Sequence, residues 1–390
     1  MREQLKEAVL KQFDDSYKLV EYMYENPEIG NQEFKAMDVL CKELRAKGFE
    51  VEEGYVVPTG FIGKYDSGKE GPVIGFMCEY DALPEVGHGC GHNLIAGMSL
   101  TAAVALKSMI DDLGGKIWVL GTPAEENFGG KISFADAGVF DDVDVALMLH
   151  PSSENSLGGR TNALMPLKFE FFGTPAHGCI PYEGKSALDA AVMTFLNINL
   201  LRQYVEPHTY IHGIVRDGGQ AANVIPPYAS LEYYFRGATM AYVNKLCARA
   251  QDIVDAACKA AGVTSKTSVY ECPYDDIVIN YLLADMLKDK YEQLGYTDIK
   301  PVNELPQGST DVGAVSYRCP TLQGMIKIAG KEVNGHSKEL AAATIDENGK
   351  KALVEGAWAL ADIAADLLEK PELLAAAKKE LADTLAAQNK

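Results

Sequence analysis

The sequence of 390 residues lacks any excess of positive charge: 36 Lys and Arg stand against 55 Asp and Glu, a formal charge of -19. A field of that sign repels a phosphate backbone, so nucleic acid is not expected as a partner. No stretch reaches the roughly 18 consecutive apolar residues of a membrane span. The first fifteen residues carry charges throughout and lack the apolar centre of a signal peptide. Eight cysteines are scattered without the dense spacing of a disulfide scaffold. These features set the expectation of a soluble, cytoplasmic protein with reduced thiols and no membrane association. No period of about 20–50 residues recurs, which argues against solenoids and propellers. The Gly-x-Ser-x-Gly elbow of serine hydrolases and the Gly-x-Gly-x-x-Gly dinucleotide fingerprint are also missing.

What is present is an ordinary globular composition, 47% hydrophobic and 23% charged. At roughly 100–200 residues per domain, that length suggests two domains. Helical spacing of apolar residues runs from the start to Lys47, with Gly48 as a stop. Short apolar runs then alternate with helix-like segments. Strands are expected at 73–78, 117–120 and 143–149, with helices at 94–110 and 132–137. That alternation predicts an α/β fold, a mostly parallel sheet with helices on both faces. After Pro166 the pattern changes. Strands that alternate apolar and polar residues are expected at 167–171, 210–215, 229–235 and 267–270, with helices at 186–202 and 241–261. Their order, β-α-β-β-α-β, predicts an inserted α+β domain of ferredoxin-like type. A surface helix is expected over the Ala-rich stretch 371–390. The expected organisation is therefore a domain from residues 1–165 and 278–390, interrupted by a second at 166–277.

The densest chemical motif is Gly87-His88-Gly89-Cys90-Gly91-His92-Asn93. Glycines let the backbone fold tightly, so that Cys90 and His92 can present sulfur and imidazole to one metal ion. A flexible turn with a free cysteine is the alternative. Glu125 and Glu126 follow the 117–120 strand. Adjacent loop carboxylates are ordinarily just solvated, but these lie past a strand's carboxyl end, where open α/β sheets place their ligands. His150 ends the next expected strand, and Glu79-Tyr80-Asp81 leaves the 73–78 strand at the same edge. A divalent ion held by such N, O and S donors acidifies water and polarises a carbonyl. A carboxylate kept off the metal can then carry the proton to a leaving amine.

The stretches Tyr80-Asp81-Ala82-Leu83-Pro84, Gly87 to Asn93, Pro123-Ala124-Glu125-Glu126 and Asp144 to Pro151 resemble those of a known family. So do Thr174-Pro175-Ala176-His177-Gly178, Ala222-Asn223-Val224-Ile225-Pro226 and Gly335-His336-Ser337. The family is the co-catalytic-metal aminoacylases and carboxypeptidases, metallopeptidase family M20. The closest resemblance is to its amidohydrolase branch of p-aminobenzoyl-glutamate hydrolases, auxin-conjugate hydrolases and aminoacylase-like dipeptidases. The resemblance implies two divalent metal ions held by Cys90, His92, Glu126, His150 and His336. It makes Glu125 the general base and Asp81 the group that orients a metal-binding imidazole. Thiolate favours zinc, while the other donors would also take manganese, cobalt or nickel.

The same resemblance makes the inserted domain a lid that pairs two chains into a homodimer. His177 would reach the partner's metal site and stabilise the oxyanion, with turn capping as the alternative role. Asn223 and Arg236 would clamp the substrate carboxylate, with a salt bridge as the alternative for Arg236. His88 is not required by the pattern, and His208 and His212 are expected on the surface or in a strand. The implied activity is metal-dependent cleavage of the amide bond of an N-acyl or aminoacyl amino acid with a free carboxylate. Two alternatives are a strict dipeptidase and a component of a p-aminobenzoyl-glutamate hydrolase that needs a second chain.

Overall fold

The structure, a computed structural model, describes residues 2–388; Met1 and the last two residues of the expected C-terminal helix lie outside them. Along the chain the strands are β1 (Glu50–Glu53), β2 (Phe61–Asp66), β3 (Val73–Cys78), β4 (Lys116–Gly121), β5 (Val145–Ser152) and β6 (Asn155–Ser156). They continue as β7 (Ala163–Phe172), β8 (Tyr210–Asp217), β9 (Tyr228–Gly237), β10 (Thr264–Val269), β11 (Ile299–Lys300) and β12 (Thr321–Lys327). The chain divides into two units: one runs to Arg160 and includes Ile277–Leu305 and the chain from Thr310, the other holds Thr161–Asp276 and Pro306–Ser309.

The first unit carries an eight-stranded sheet in the order β1-β2-β4-β3-β5-β12-β6-β11. Its centre, β4-β3-β5-β12, is parallel, and β2 joins β4 antiparallel. The segment Val73-Ile74-Gly75-Phe76-Met77-Cys78 has no polar residue to face water, which suits a strand covered on both faces. The helix His92–Leu113 is apolar nearly all round and accordingly buried along most of its length. It packs between the sheet and the helices Arg2–Glu25 and Glu347–Glu369. All four parallel strands run the same way, so the segments after Cys78, Gly121, Ser152 and Lys327 leave the sheet at one edge.

The helical stretch expected from the start to Lys47 is in fact two helices, Arg2–Glu25 and Phe34–Ala46. Pro27 has no N–H to donate and disfavours a helical residue before it. Asn31 takes a left-handed φ of 65°, and the break from Asn26 to Glu33 becomes a loop laid against the carboxyl edge.

The second unit is an antiparallel sheet in the order β10-β7-β9-β8, with helices Ala187–Leu201 and Met240–Ala261. Counted along the chain, its first strand lies between the fourth and the third, the arrangement of a ferredoxin-like α+β fold. Phe169, Phe171, Leu231, Tyr233 and Phe235 form its core against those helices. Each helix has a side-chain cap: Ser186 accepts from the Asp189 N–H and Thr239 from the Tyr242 N–H.

Candidate metal centre

Four loops at the carboxyl edge of the parallel strands bring the candidate side chains of the first unit together. After β3, Asp81 is fully buried, and its Oδ1 accepts from His92 Nδ1 at 2.9 Å. Its Oδ2 accepts the Glu126 backbone N–H at 3.1 Å, so one carboxylate ties two loops. With the proton held on Nδ1, His92 Nε2 keeps its lone pair free for a metal. Burial lowers the His92 pKa, but Asp81, Cys90 and Glu79 around it hold it well above the ordinary value, so a metal taken up at Nε2 would displace a proton from it.

The glycines of the 87–93 turn set the approach of Cys90. Gly91 adopts φ +85° immediately before the helix that starts at His92. A Cβ on Gly89 would lie 2.5 Å from Val86 Cγ1 and 3.0 Å from the Ser337 carbonyl, so only glycine lets the two loops meet there. Gly89 also accepts the His336 N–H at 2.9 Å, with His336 held at φ +59°. His150, near the carboxyl end of β5, has Nδ1 2.7 Å from the Pro151 carbonyl and Nε2 3.4 Å from Cys90 Sγ. Burial lowers its pKa, which leaves the neutral imidazole a metal needs.

Three sets of donor atoms result, each with all its atoms within 4.8 Å of one another: Cys90, His92 and His150; Cys90, Glu126 and His336; His92, Glu125 and Glu126. Cys90 belongs to a histidine-rich side and to a side with Glu126 and His336, the arrangement two ions sharing a donor would use. His92 Nε2 and Glu126 Oε1 are buried, lie 4.0 Å apart and make no hydrogen bond, with only the wider contacts of Glu79 Oε2 at 3.3 Å and His336 Nε2 at 3.4 Å beside them. Burying such atoms without a hydrogen bond is costly, and a cation at their meeting point would offset that cost. Burial pushes the Cys90 thiol up to about 12, so its sulfur ionises only beside strong positive charge. Donor type, convergence and orphaned atoms all fit divalent metal ions.

Burial, Glu79 and Asp311 all push Glu125, half-buried beside these donors, well above the ordinary carboxylate range. A carboxylate of raised basicity is a better proton acceptor at neutral pH. Beneath it lies a group that the motifs did not single out. Lys131 is fully buried, with Nζ 2.5 Å from Glu79 Oε1 and 2.7 Å from Asp311 Oδ1. Glu79 Oε2 in turn lies 3.3 Å from His92 Nε2. The signal for Glu79 was its position two residues before Asp81 in the strand exit; Lys131 and Asp311 carry no local signature.

The remaining candidates lie in the second unit. His177 is exposed, and its Nδ1 accepts the Cys179 N–H at 3.1 Å, which leaves the proton on Nε2 as a donor to solvent-side groups. Asn223 is strapped to the same turn, its carbonyl accepting the Gly178 N–H at 2.7 Å. Arg236, half-buried on β9, donates to Ser309 Oγ at 2.8 Å and stacks over the Tyr234 ring. His88 is buried outside the three donor sets, His208 sits in a loop, and His212 is exposed on β8 beside Tyr210.

Comparison with known proteins bears on the whole arrangement. Residues 75–366 match the family described as peptidase family M20/M25/M40. The chain is 35% identical over 370 residues to the Xaa-Arg dipeptidase of Mus musculus, covering 91% of this chain and 86% of that protein. It is 32% identical to one of the p-aminobenzoyl-glutamate hydrolase polypeptides of Escherichia coli, over 68% of this chain and 58% of that one. The fold superposes on the Bacillus subtilis YXEP protein, a dinuclear metal-binding peptidase of the M20 family. The TM-score is 0.67 at 18% identity, covering 91% of this chain and 99% of the other.

Proposed function

This chain belongs to peptidase family M20/M25/M40 and is a metal-dependent amidohydrolase; on that premise we propose that it cleaves dipeptides or acyl amino acids with a free carboxylate, dipeptides ending in a basic residue foremost. The observation that carries the reading is the meeting of three donor sets around Cys90 and Glu126 with Glu125 alongside. The preference for a basic residue is supported by the extent of identity to the Xaa-Arg dipeptidase and by the net charge of -19, which draws in cationic substrates.

Cys90, His92, Glu126, His150 and His336 would hold two divalent ions, with zinc favoured by the cysteine sulfur. The ions, when bound, acidify water towards neutrality and polarise the substrate carbonyl. Glu125 takes a proton from the attacking water and delivers it to the departing amine. Asp81 fixes the His92 ring and the Glu126 loop throughout. Arg236 and Asn223 bind the substrate carboxylate, and His177 Nε2–H donates to the oxyanion in a paired copy, the roles that the family resemblance implies.

Pairing through the second unit is supported by its surface. Val192, Leu196 and Leu200 line one exposed face of the helix Ala187–Leu201, and Leu200 is 67% exposed. The sheet edge β8 presents Ile214 and Val215 to solvent. An open strand edge with apolar side chains invites a second copy. Thiols kept reduced would suit a cytoplasmic setting.

The test compares alanyl-arginine, N-acetyl-arginine and p-aminobenzoyl-glutamate on metal-loaded protein, with Glu125→Gln as the control. Alanyl-arginine should be the best substrate, and the variant should lose about 10²–10⁴-fold in kcat with metal content intact. Equal turnover of the three substrates would refute the preference, and an active Glu125→Gln protein would refute the mechanism. Metal-loaded but inert protein would favour the reading in which a second polypeptide is required.

A further inference from the structure

The loop that breaks the N-terminal helical stretch ends in Glu33, a carboxyl group with no measurable exposure and no part in the chemistry above. Its Oε1 accepts the Ala124 backbone N–H at 2.9 Å, and its Oε2 accepts the Thr59 hydroxyl at 2.8 Å. Ala124 immediately precedes Glu125 and has φ +61°, a left-handed conformation that costs any residue carrying a Cβ. The turn is then closed by the Ala124 carbonyl, which accepts from the N–H groups of Phe128 and Gly129 at 3.0 and 2.8 Å.

The same loop braces the neighbouring rim segment. The Ala82 N–H donates to the Glu28 carbonyl at 2.8 Å, and Ile29 forms a parallel bridge with Ala82. A Cβ on Gly30 would lie 3.0 Å from Ala124 Cβ, so the loop lies flush against the turn. Thr59, which holds the other Glu33 oxygen, accepts at its carbonyl from the Tyr80 hydroxyl, one residue before Asp81. Glu33 therefore sits where the two rim loops meet, with both its oxygens engaged by them.

We propose that Glu33 is a positioning residue: its Oε1 holds Ala124 in the left-handed conformation that aims Glu125 at the reacting water. The inference rests on the assignment of Glu125 as the base. In either protonation state Oε1 remains an acceptor, so the neutral amide of glutamine reproduces the contact, with its NH2 donating to Thr59 Oγ1.

The experiment measures kcat and KM on metal-loaded Glu33→Met, Glu33→Asp and Glu33→Gln proteins and on the double variant Glu33→Met with Ala124→Gly. Methionine removes the acceptor, and aspartate withdraws it by one methylene while keeping charge and fold. Both should lower kcat about 100-fold, as a displacement of about 1 Å at a catalytic group does, with KM and metal stoichiometry held. Glu33→Gln should stay within about threefold of the parent, because its contacts persist. Adding Ala124→Gly to Glu33→Met should restore about tenfold, because glycine takes the left-handed conformation without a Cβ penalty. An unchanged kcat in Glu33→Asp, or a double variant no better than a folded Glu33→Met, overturns the proposal. Glu125→Gln, measured alongside, separates the two failures. Full activity there removes the premise, whereas an inactive Glu125→Gln beside an active Glu33→Asp refutes the positioning role alone.

Discussion

Replacing Lys131 by Met keeps the stem of the side chain and deletes a charge held between Glu79 and Asp311. All three side chains are at most 1% exposed, so water cannot compensate. Breaking a buried ion pair by removing one partner costs about 3–5 kcal/mol, because the other charge is left uncompensated. A domain of this size shifts its melting temperature by about 2–4 °C per kcal/mol, which puts the loss at about 6–20 °C. Its pH dependence follows from the same groups. In the parent, burial raises Asp311 above its ordinary value despite Lys131, whereas Lys131 and the histidines hold Glu79 below its own. Without the cation both carboxyls move up, above their unfolded values. Groups raised in the folded state stabilise it at pH below the unfolded value and lose that contribution as pH rises. The deficit of Lys131→Met should therefore be large at pH 7.5 and shrink towards pH 5. Differential scanning calorimetry across that range tests it. A pH-independent deficit, or one that persists when Glu79→Gln and Asp311→Asn are added, would assign the loss to packing and refute the electrostatic account.

Asp81→Asn retains a hydrogen-bonding atom near His92 Nδ1 but loses the charge that fixes the tautomer, so metal affinity should fall about 10–100-fold, read by competitive zinc titration; unchanged affinity would count against the role. Burial pushes Glu33 up to about 7 from 4.5, so its contribution to stability falls as pH rises between those values. Glu33→Gln lacks this dependence and should gain about 3 kcal/mol on the parent between pH 4.5 and 7; parallel melting curves across that window would refute it. The paired substitution Leu196→Asp with Leu200→Glu places charge on the exposed apolar face of the helix Ala187–Leu201. It should convert dimers to monomers in light scattering while leaving the melting temperature of the fold within a few degrees; a monomeric parent protein would end the dimer proposal.

The parallel sheet could be read from the sequence because its central strands are uninterrupted apolar runs, as in Val73–Cys78, separated by helix-length segments. The convergence of Cys90, His92, Glu126 and His150 could be read because each sits at or near the end of an element on one rim, whereas His336 entered only through the family resemblance. Glu33, Lys131 and Asp311 could not be found that way. An isolated Glu, Lys or Asp in a polar stretch carries the same local signal whether it is solvated or enclosed, and only the packing of residues 33, 124, 131 and 311 decides which. The break at Asn26–Glu33 was hidden by the helical spacing on either side, although Pro27 and Gly30 stand within it. The proton on His177 Nε2 follows from the Cys179 N–H, a contact that no residue pattern specifies.

The tie between the Gly89 carbonyl and the His336 N–H joins two points almost 250 residues apart in the chain. At about 5–20 residues per second, a ribosome takes about 12–50 s to travel from one to the other. During that interval Cys90, His92, Glu126 and His150 have emerged, the second unit is being made, and the last donor does not yet exist. A metal ion captured then would meet an incomplete set of donors and an unpaired thiol. Closure of the site is a late event of high contact order, so stable metallation belongs to the finished chain and responds to the ions present after synthesis.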